Sequence, residues 1–138
     1  MSVSPAKRKA VAERARNLCE YCFSPRSYSP QSFSVEHILP KSKKGSDEFE
    51  NLALACQGCN SFKSDKTEAI DPSVGRKVSL YNPRKDAWNK HFAWSEDFLE
   101  IVGLTAKGRA TVKLLKLNRQ EVVSLRKLLH LFGEHPPK

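Results

Sequence analysis

The sequence predicts an α+β fold, and three observations carry that prediction. Two Cys-x-x-Cys pairs, Cys19/Cys22 and Cys56/Cys59, use all 4 cysteines of the chain. The stretch between them reads as strand, loop, strand and helix. A basic helix precedes the first pair, and a hairpin and two amphipathic helices follow the second. The 138 residues are expected to form a single domain, with a core over residues 17–70 and a C-terminal extension over 71–138.

Each element has a local cause. Ser4-Pro5 supplies an N-cap and a proline at the first helical position. A basic helix is expected from there to about Arg16, with Ala10, Val11, Ala15 and Leu18 as a thin apolar side. Residues 24–32 lack periodicity and read as a loop. Ser32-Phe33-Ser34-Val35 alternates, which predicts a strand that delivers Glu36 and His37 at its end. Pro40 and the stretch 41–47 form a basic loop, and Leu52-Ala53-Leu54-Ala55 returns as a second strand. A helix is expected from Asn60 to about Thr67, and Asp71–Gly75 breaks the pattern. Leu80, Tyr81, Trp88, Phe92 and Trp94 form an aromatic stretch, with a hairpin over Phe92–Val102 turning at Ser95–Asp97. Helices are expected at about 105–116 and 119–132. Asn118 stands as N-cap of the second, with Glu121 three residues on.

The net charge is +9, from 24 basic and 15 acidic residues. Up to Lys66 there are 11 basic and 7 acidic residues, and beyond it 13 and 8, so the excess is spread over the chain. That balance favours a polyanionic partner, and counterion release makes nucleic acid the natural one. No apolar run is long enough to span a bilayer. The N-terminus lacks the apolar stretch of a secretory signal. A cytoplasmic, reducing location is therefore expected, where cysteines serve as metal ligands more often than as disulfides.

Two Cys-x-x-Cys pairs provide four thiolates, the complement of a closed tetrahedral zinc site. Such a site leaves no open position for substrate, so a zinc held by Cys19, Cys22, Cys56 and Cys59 is expected to be structural. A redox role would need one pair rather than two.

Between the pairs sit Glu36, His37, Asn51 and Asn60. Taken singly, each has a plain reading: a solvated acid, a satisfied histidine, a turn residue and a helix cap. Taken together they suit phosphodiester cleavage. An attacking water must lose a proton, which a neutral histidine can take. A divalent cation must neutralise charge gathering on the phosphate. Magnesium prefers oxygen ligands, and Glu36 and Asn60 offer a carboxylate and an amide oxygen.

The segment from Cys19 to Lys66 resembles the HNH endonuclease family, whose core is a ββα-metal fold. The resemblance rests on Cys19 and Cys22, Glu36-His37-Ile38-x-Pro40, Gly45, Asn51-Leu52, Cys56-x-x-Cys59-Asn60 and Lys63. It implies that His37 is the general base and that Asn51 fastens the loop and orients it. It implies that Glu36 and Asn60 ligate a single Mg2+ or Mn2+, in an H-N-N variant with a zinc staple. Glu36 stands where many members carry aspartate, which moves the carboxylate outward. The reaction implied is metal-dependent hydrolysis of DNA, leaving a 5′-phosphate and a 3′-hydroxyl.

Lys41, Lys43, Lys44, Lys63 and Lys66 flank the constellation in sequence and are candidates for phosphate contacts. His91 lies beside the aromatic stretch and reads first as a packed histidine. His130 and His135 read as surface residues. With one such site per chain, a double-strand break would require a homodimer. The alternative left open is a zinc-stapled nucleic-acid-binding module without cleavage activity.

Overall fold

Ser4 and Pro5 start the first helix as their positions predict. The computed structural model describes residues 3–138. In it Ser4 Oγ accepts from the Lys7 amide at 3.2 Å, and α1 runs Pro5–Arg14. The helix stops two residues short of expectation because Arg16 and Asn17 both adopt left-handed conformations, with φ of 55° and 57°.

The chain is α+β and divides into two compact units. The first holds the residues up to Thr67 together with Asn82–Arg84. Here β1 (Ser34–His37) pairs antiparallel with β2 (Leu52–Ala55), setting Glu36 opposite Ala53 and His37 opposite Leu52. Every residue of β2 is buried. Val3, Val11, Ala12, Leu52 and Leu54 form the core, with Ala15, Phe33 and Val35 packed against it. The short helix α2 spans Gln57–Lys63. It begins three residues earlier than expected because Cys56 caps it, its sulfur accepting from the Cys59 amide. Asn60 therefore sits within the helix rather than at its start.

The second unit contains Glu68–Tyr81 and Lys85–Lys138. It opens with a hairpin the sequence did not announce, β3 (Glu68–Ile70) paired with β4 (Lys77–Ser79). The stretch Asp71–Gly75 is its turn, closed by the Gly75 amide on the Asp71 carbonyl at 2.7 Å. A single helical turn, α3 (Trp88–His91), leads into the hairpin of β5 (Phe92–Trp94) and β6 (Ile101–Gly103). The helices α4 (Ala106–Leu115) and α5 (Gln120–Leu131) close the chain. Gly103 and Gly108 let β6 and α4 meet backbone to backbone. A Cβ at Gly103 would lie 2.5 Å from the Arg109 nitrogen, and one at Gly108 would lie 2.1 Å from the His91 carbonyl oxygen.

Aromatic rings fill this second core. Tyr81 meets Phe92 edge-on at 5.0 Å, and Trp88 lies 5.6 Å from both Phe92 and Trp94. Buried Arg126 donates to the carbonyls of Leu99 and Leu117 at 2.9 and 2.8 Å, with its guanidinium over the Trp94 ring. Two expectations are corrected here. Asn118 does not cap α5: its side chain exchanges two hydrogen bonds with the Ile101 backbone, and the N-cap position falls to Arg119 without a side-chain bond. His135 is not a surface residue, for it is 4 % exposed, packs on Trp94 and bonds the Phe98 carbonyl at 2.7 Å. His130 is exposed as expected.

Candidate active site and metal centre

The four cysteine sulfurs lie within 4.8 Å of one another, and all four residues are buried. Each pair forms the same turn, the second amide of the pair donating to the first sulfur at 3.5 Å. Sγ of Cys22 and Cys56 are 3.6 Å apart, far beyond a disulfide bond and close to the ~3.8 Å between sulfurs on a tetrahedral zinc with Zn–S of about 2.3 Å. The electrostatics also call for a cation. Hydrogen bonds from Cys19, Cys22 and Cys59 pull Cys56 far below the ordinary thiol range, while burial pushes Cys19 up. Four sulfurs so close cannot all become thiolates without a positive ion among them, and they fit zinc.

The first knuckle is bound to the rest of its unit by the two residues between its cysteines. Glu20 exchanges backbone and side-chain hydrogen bonds with Leu54 at 2.8 Å each, and its other carboxylate oxygen pairs with Arg84. The Tyr21 hydroxyl donates to Glu36 Oε2 at 2.8 Å. Alternation along β1 then separates the two candidate residues. Glu36 points inward and is 5 % exposed, whereas His37 is partly open.

Glu36 does not stand as a bare ligand. Its Oε1 accepts no well-aligned hydrogen bond but lies 2.6 Å from Lys63 Nζ, an ion contact between side chains 3 % and 2 % exposed. Lys63 also donates to the Ile38 carbonyl at 2.9 Å. Burial raises the Glu36 pKa, and the charge of Lys63, with the hydrogen bond from Tyr21, opposes that rise. The lysine that the sequence offers to phosphate is thus placed indoors as the counter-ion of Glu36, because a buried carboxylate needs a cation. Lys41, Lys43, Lys44 and Lys66 are all exposed.

His37 has a partner that sequence reading missed. Its Nε2 lies 2.7 Å from Asp47 Oδ1, and Lys41 Nζ lies 3.3 Å from both Asp47 oxygens. The hydrogen bond to His37, with that of Lys41 next, holds the Asp47 carboxyl below the usual range. A carboxylate only accepts, so Nε2 donates the hydrogen of this contact, and Nδ1 is the ring nitrogen left to accept one. The signal available in the sequence was that Asp47 is the lone acid of an otherwise basic loop.

Asn51 fastens that loop. Its amide nitrogen donates to the Leu39 and Ser46 carbonyls at 3.0 and 2.8 Å, and its oxygen accepts from the Leu39 amide at 2.8 Å. Gly45 permits the closure, for a Cβ there would lie 1.6 Å from the Leu39 oxygen.

Glu36, His37 and Asn60 line one cleft of about 450 Å3, together with Ser61, Ser64 and Asp65. Asn51 acts behind it, through the loop. The exposed carboxylate of Asp65 was not singled out from sequence, since nothing in its spacing distinguishes it from an ordinary acid after a helix. The oxygen donors of Glu36 and Asn60 suit a hard divalent cation such as magnesium, at a carboxylate already shared with Lys63. His91 lies in the second unit's core, its Nδ1 2.7 Å from Thr105 Oγ1 and its ring edge-on to Tyr81.

Residues 19–66 match the family model described as HNH endonuclease. The matched segment holds all four cysteines, β1, β2 and α2. No curated protein and no solved structure matches the chain. HNH domains act on nucleic acids, and among the described residues no helix is long and apolar enough to cross a membrane.

Proposed function

Taking residues 19–66 as an HNH domain, we propose that this chain is a metal-dependent DNA endonuclease with His37 as general base. The observation that carries the reading is the convergence of Glu36, His37 and Asn60 on one cleft, with the far nitrogen of His37 held by Asp47. Glu36 and Asn60 would hold a single Mg2+ or Mn2+. When bound, that ion supplies positive charge against the phosphate and the leaving oxygen.

The chain's own residues do the rest. Asp47 accepts the Nε2 hydrogen of His37 and so directs the lone pair to Nδ1. Nδ1 takes a proton as water attacks phosphorus in line, and the bond from phosphorus to the 3′ oxygen breaks, that oxygen taking a proton from a solvent water. The products carry a 5′-phosphate and a 3′-hydroxyl. Asn51 keeps the loop from Leu39 to Ser46 closed, which fixes where Asp47 stands. The exposed Lys41, Lys43, Lys44 and Lys66 contact phosphates without reading bases.

A second reading has an observation of its own. Lys63 already neutralises Glu36, so a zinc-stapled module that binds DNA without cutting it needs no further cation. Cleavage of supercoiled plasmid by the zinc-loaded chain, in Mg2+, Mn2+, Ca2+ or EDTA, separates the two. The nuclease nicks or linearises in Mg2+ or Mn2+, binds but cuts poorly in Ca2+, and loses at least about a hundredfold in rate in His37→Ala. Binding without cleavage in every metal establishes the second reading.

A further inference from the structure

The cations of α1 divide into two sets. Lys7 and Arg14 are spent within the unit: Lys7 donates to the Asp47 carbonyl at 2.8 Å, and Arg14 donates to those of Phe49 and Leu52 at 2.9 and 2.6 Å. Arg8, whose Nε donates to the Val3 carbonyl at 3.2 Å while its guanidinium stays exposed, and Lys9 line a groove of about 420 Å3 with Glu13, Asn17 and Arg26. A second groove of about 500 Å3 continues it, sharing Asn17 and Arg26 and adding Arg16. Neither contains a residue of the catalytic cleft.

Four cations thus face one concave surface whose sole lining carboxylate is Glu13. Among the described residues, none of the four makes an ion pair. Gathering like charges without counter-charges costs stability, and a polyanion removes that cost. The surface is also built rather than incidental. Arg16 and Asn17 hold left-handed backbones, the Arg26 amide donates to the Asn17 carbonyl at 2.8 Å, and Arg26 Nη1 reaches Asn17 Oδ1 at 3.3 Å. Leu18 bridges Pro25, and the Cys19 amide bonds Ser24 at 3.0 Å, so the groove wall is the first zinc knuckle.

We propose that this groove binds the phosphate backbone of DNA, as a contact separate from the cleft at His37. The proposal rests on the nucleic-acid reading above. Three arginines and a lysine line it, and both kinds of cation donate to phosphate oxygens. The helix α1, at 10 residues, is about 15 Å long, enough to lie along several consecutive phosphates. The structural role of the zinc then acquires a purpose, since the knuckle that it closes presents Arg16 and Arg26.

The test measures binding of the zinc-loaded full chain to a mixed-sequence DNA duplex, without added Mg2+ or Mn2+, over a range of salt. R8A/R16A/R26A should lose about 2 to 3 from the slope of log affinity against log salt, and on the order of a hundredfold in affinity at about 0.1 M. Its zinc content, and its hydrolysis of the small diester bis(p-nitrophenyl) phosphate, should match those of the parent. R8K/R16K/R26K should keep most of the affinity. Unchanged affinity and slope in the alanine variant overturn the proposal. Equal loss in the alanine and lysine sets assigns the arginines to the fold of the knuckle and also overturns it. Competition by polyglutamate as strong as that by DNA makes the groove an acidic-polypeptide site instead. A parent chain that binds DNA but hydrolyses neither DNA nor the small diester fails the nuclease reading while leaving the groove standing.

Discussion

The two units solve the same problem with different materials. The first has a small apolar core of Val3, Val11, Ala12, Leu52 and Leu54, and adds to it a cluster of four buried sulfurs and an internal Glu36–Lys63 pair. The second has no cysteine and relies on Tyr81, Trp88, Phe92 and Trp94, braced by buried Arg126 and by a bidentate Arg109–Asp71 pair at 2.9 Å. A unit that must keep an open polar cleft cannot also fill its centre with rings. Cross-linking by a metal at those four sulfurs would replace the apolar burial that such a cleft forgoes.

The comparison breaks most sharply on zinc. Structural zinc sites carry apparent binding free energies of about 10–16 kcal/mol, so chelation should unfold the first unit. Both tryptophans of the chain, Trp88 and Trp94, belong to the second unit, so their fluorescence reports that unit. It should change little while a colorimetric zinc indicator records full release. Simultaneous loss of both signals would show that the two units share one stabilising core.

The converse perturbation is Phe92→Ala. Phe92 is 2 % exposed among the rings, and truncating it should cost about 3–5 kcal/mol by tryptophan-monitored denaturation. Zinc content should stay at one per chain. Loss of zinc in this variant would contradict the division of labour.

The smallest effect expected is on acid stability. Burial pushes the pKa of His91 and His135 below the ordinary histidine value. A depressed histidine contributes stability that is present above about pH 6.5 and lost as pH falls toward and through the folded value. The second unit should therefore weaken from about pH 6.5 downward. The Glu36 shift has the opposite sign, since protonation relieves the cost of burying its charge. Thermal melts followed by tryptophan fluorescence check the sign. Greater stability at pH 5.5 than at pH 7.5 would place the charged form of those histidines in the folded state.

Elements with strong local signals were legible in the chain. The Ser4-Pro5 start, the β1–β2 pair and the four-sulfur cluster arise where capping chemistry, alternation and ligand spacing agree. The hairpin of β3 and β4 escaped because each strand has three residues with only the middle one partly buried, too short a run for its alternation to stand out. Asn118 misled because an N-cap and a side chain that bonds a neighbouring strand look alike in sequence. His135 misled because only its contact with Trp94 and Phe98, far back in the chain, makes it a core residue.

By itself the sequence determined which donors exist and how they are spaced, because thiols, imidazole, carboxylate and amides are covalent facts and Cys-x-x-Cys is a local turn. The tertiary structure alone decided their partners. His37 meets Asp47 across 10 residues, Tyr21 meets Glu36 across 15, and Lys63 turns inward to Glu36 rather than outward to phosphate. The physical reason is that the fate of a charge depends on what is buried beside it. Burial is a property of the packed chain and not of any segment of it.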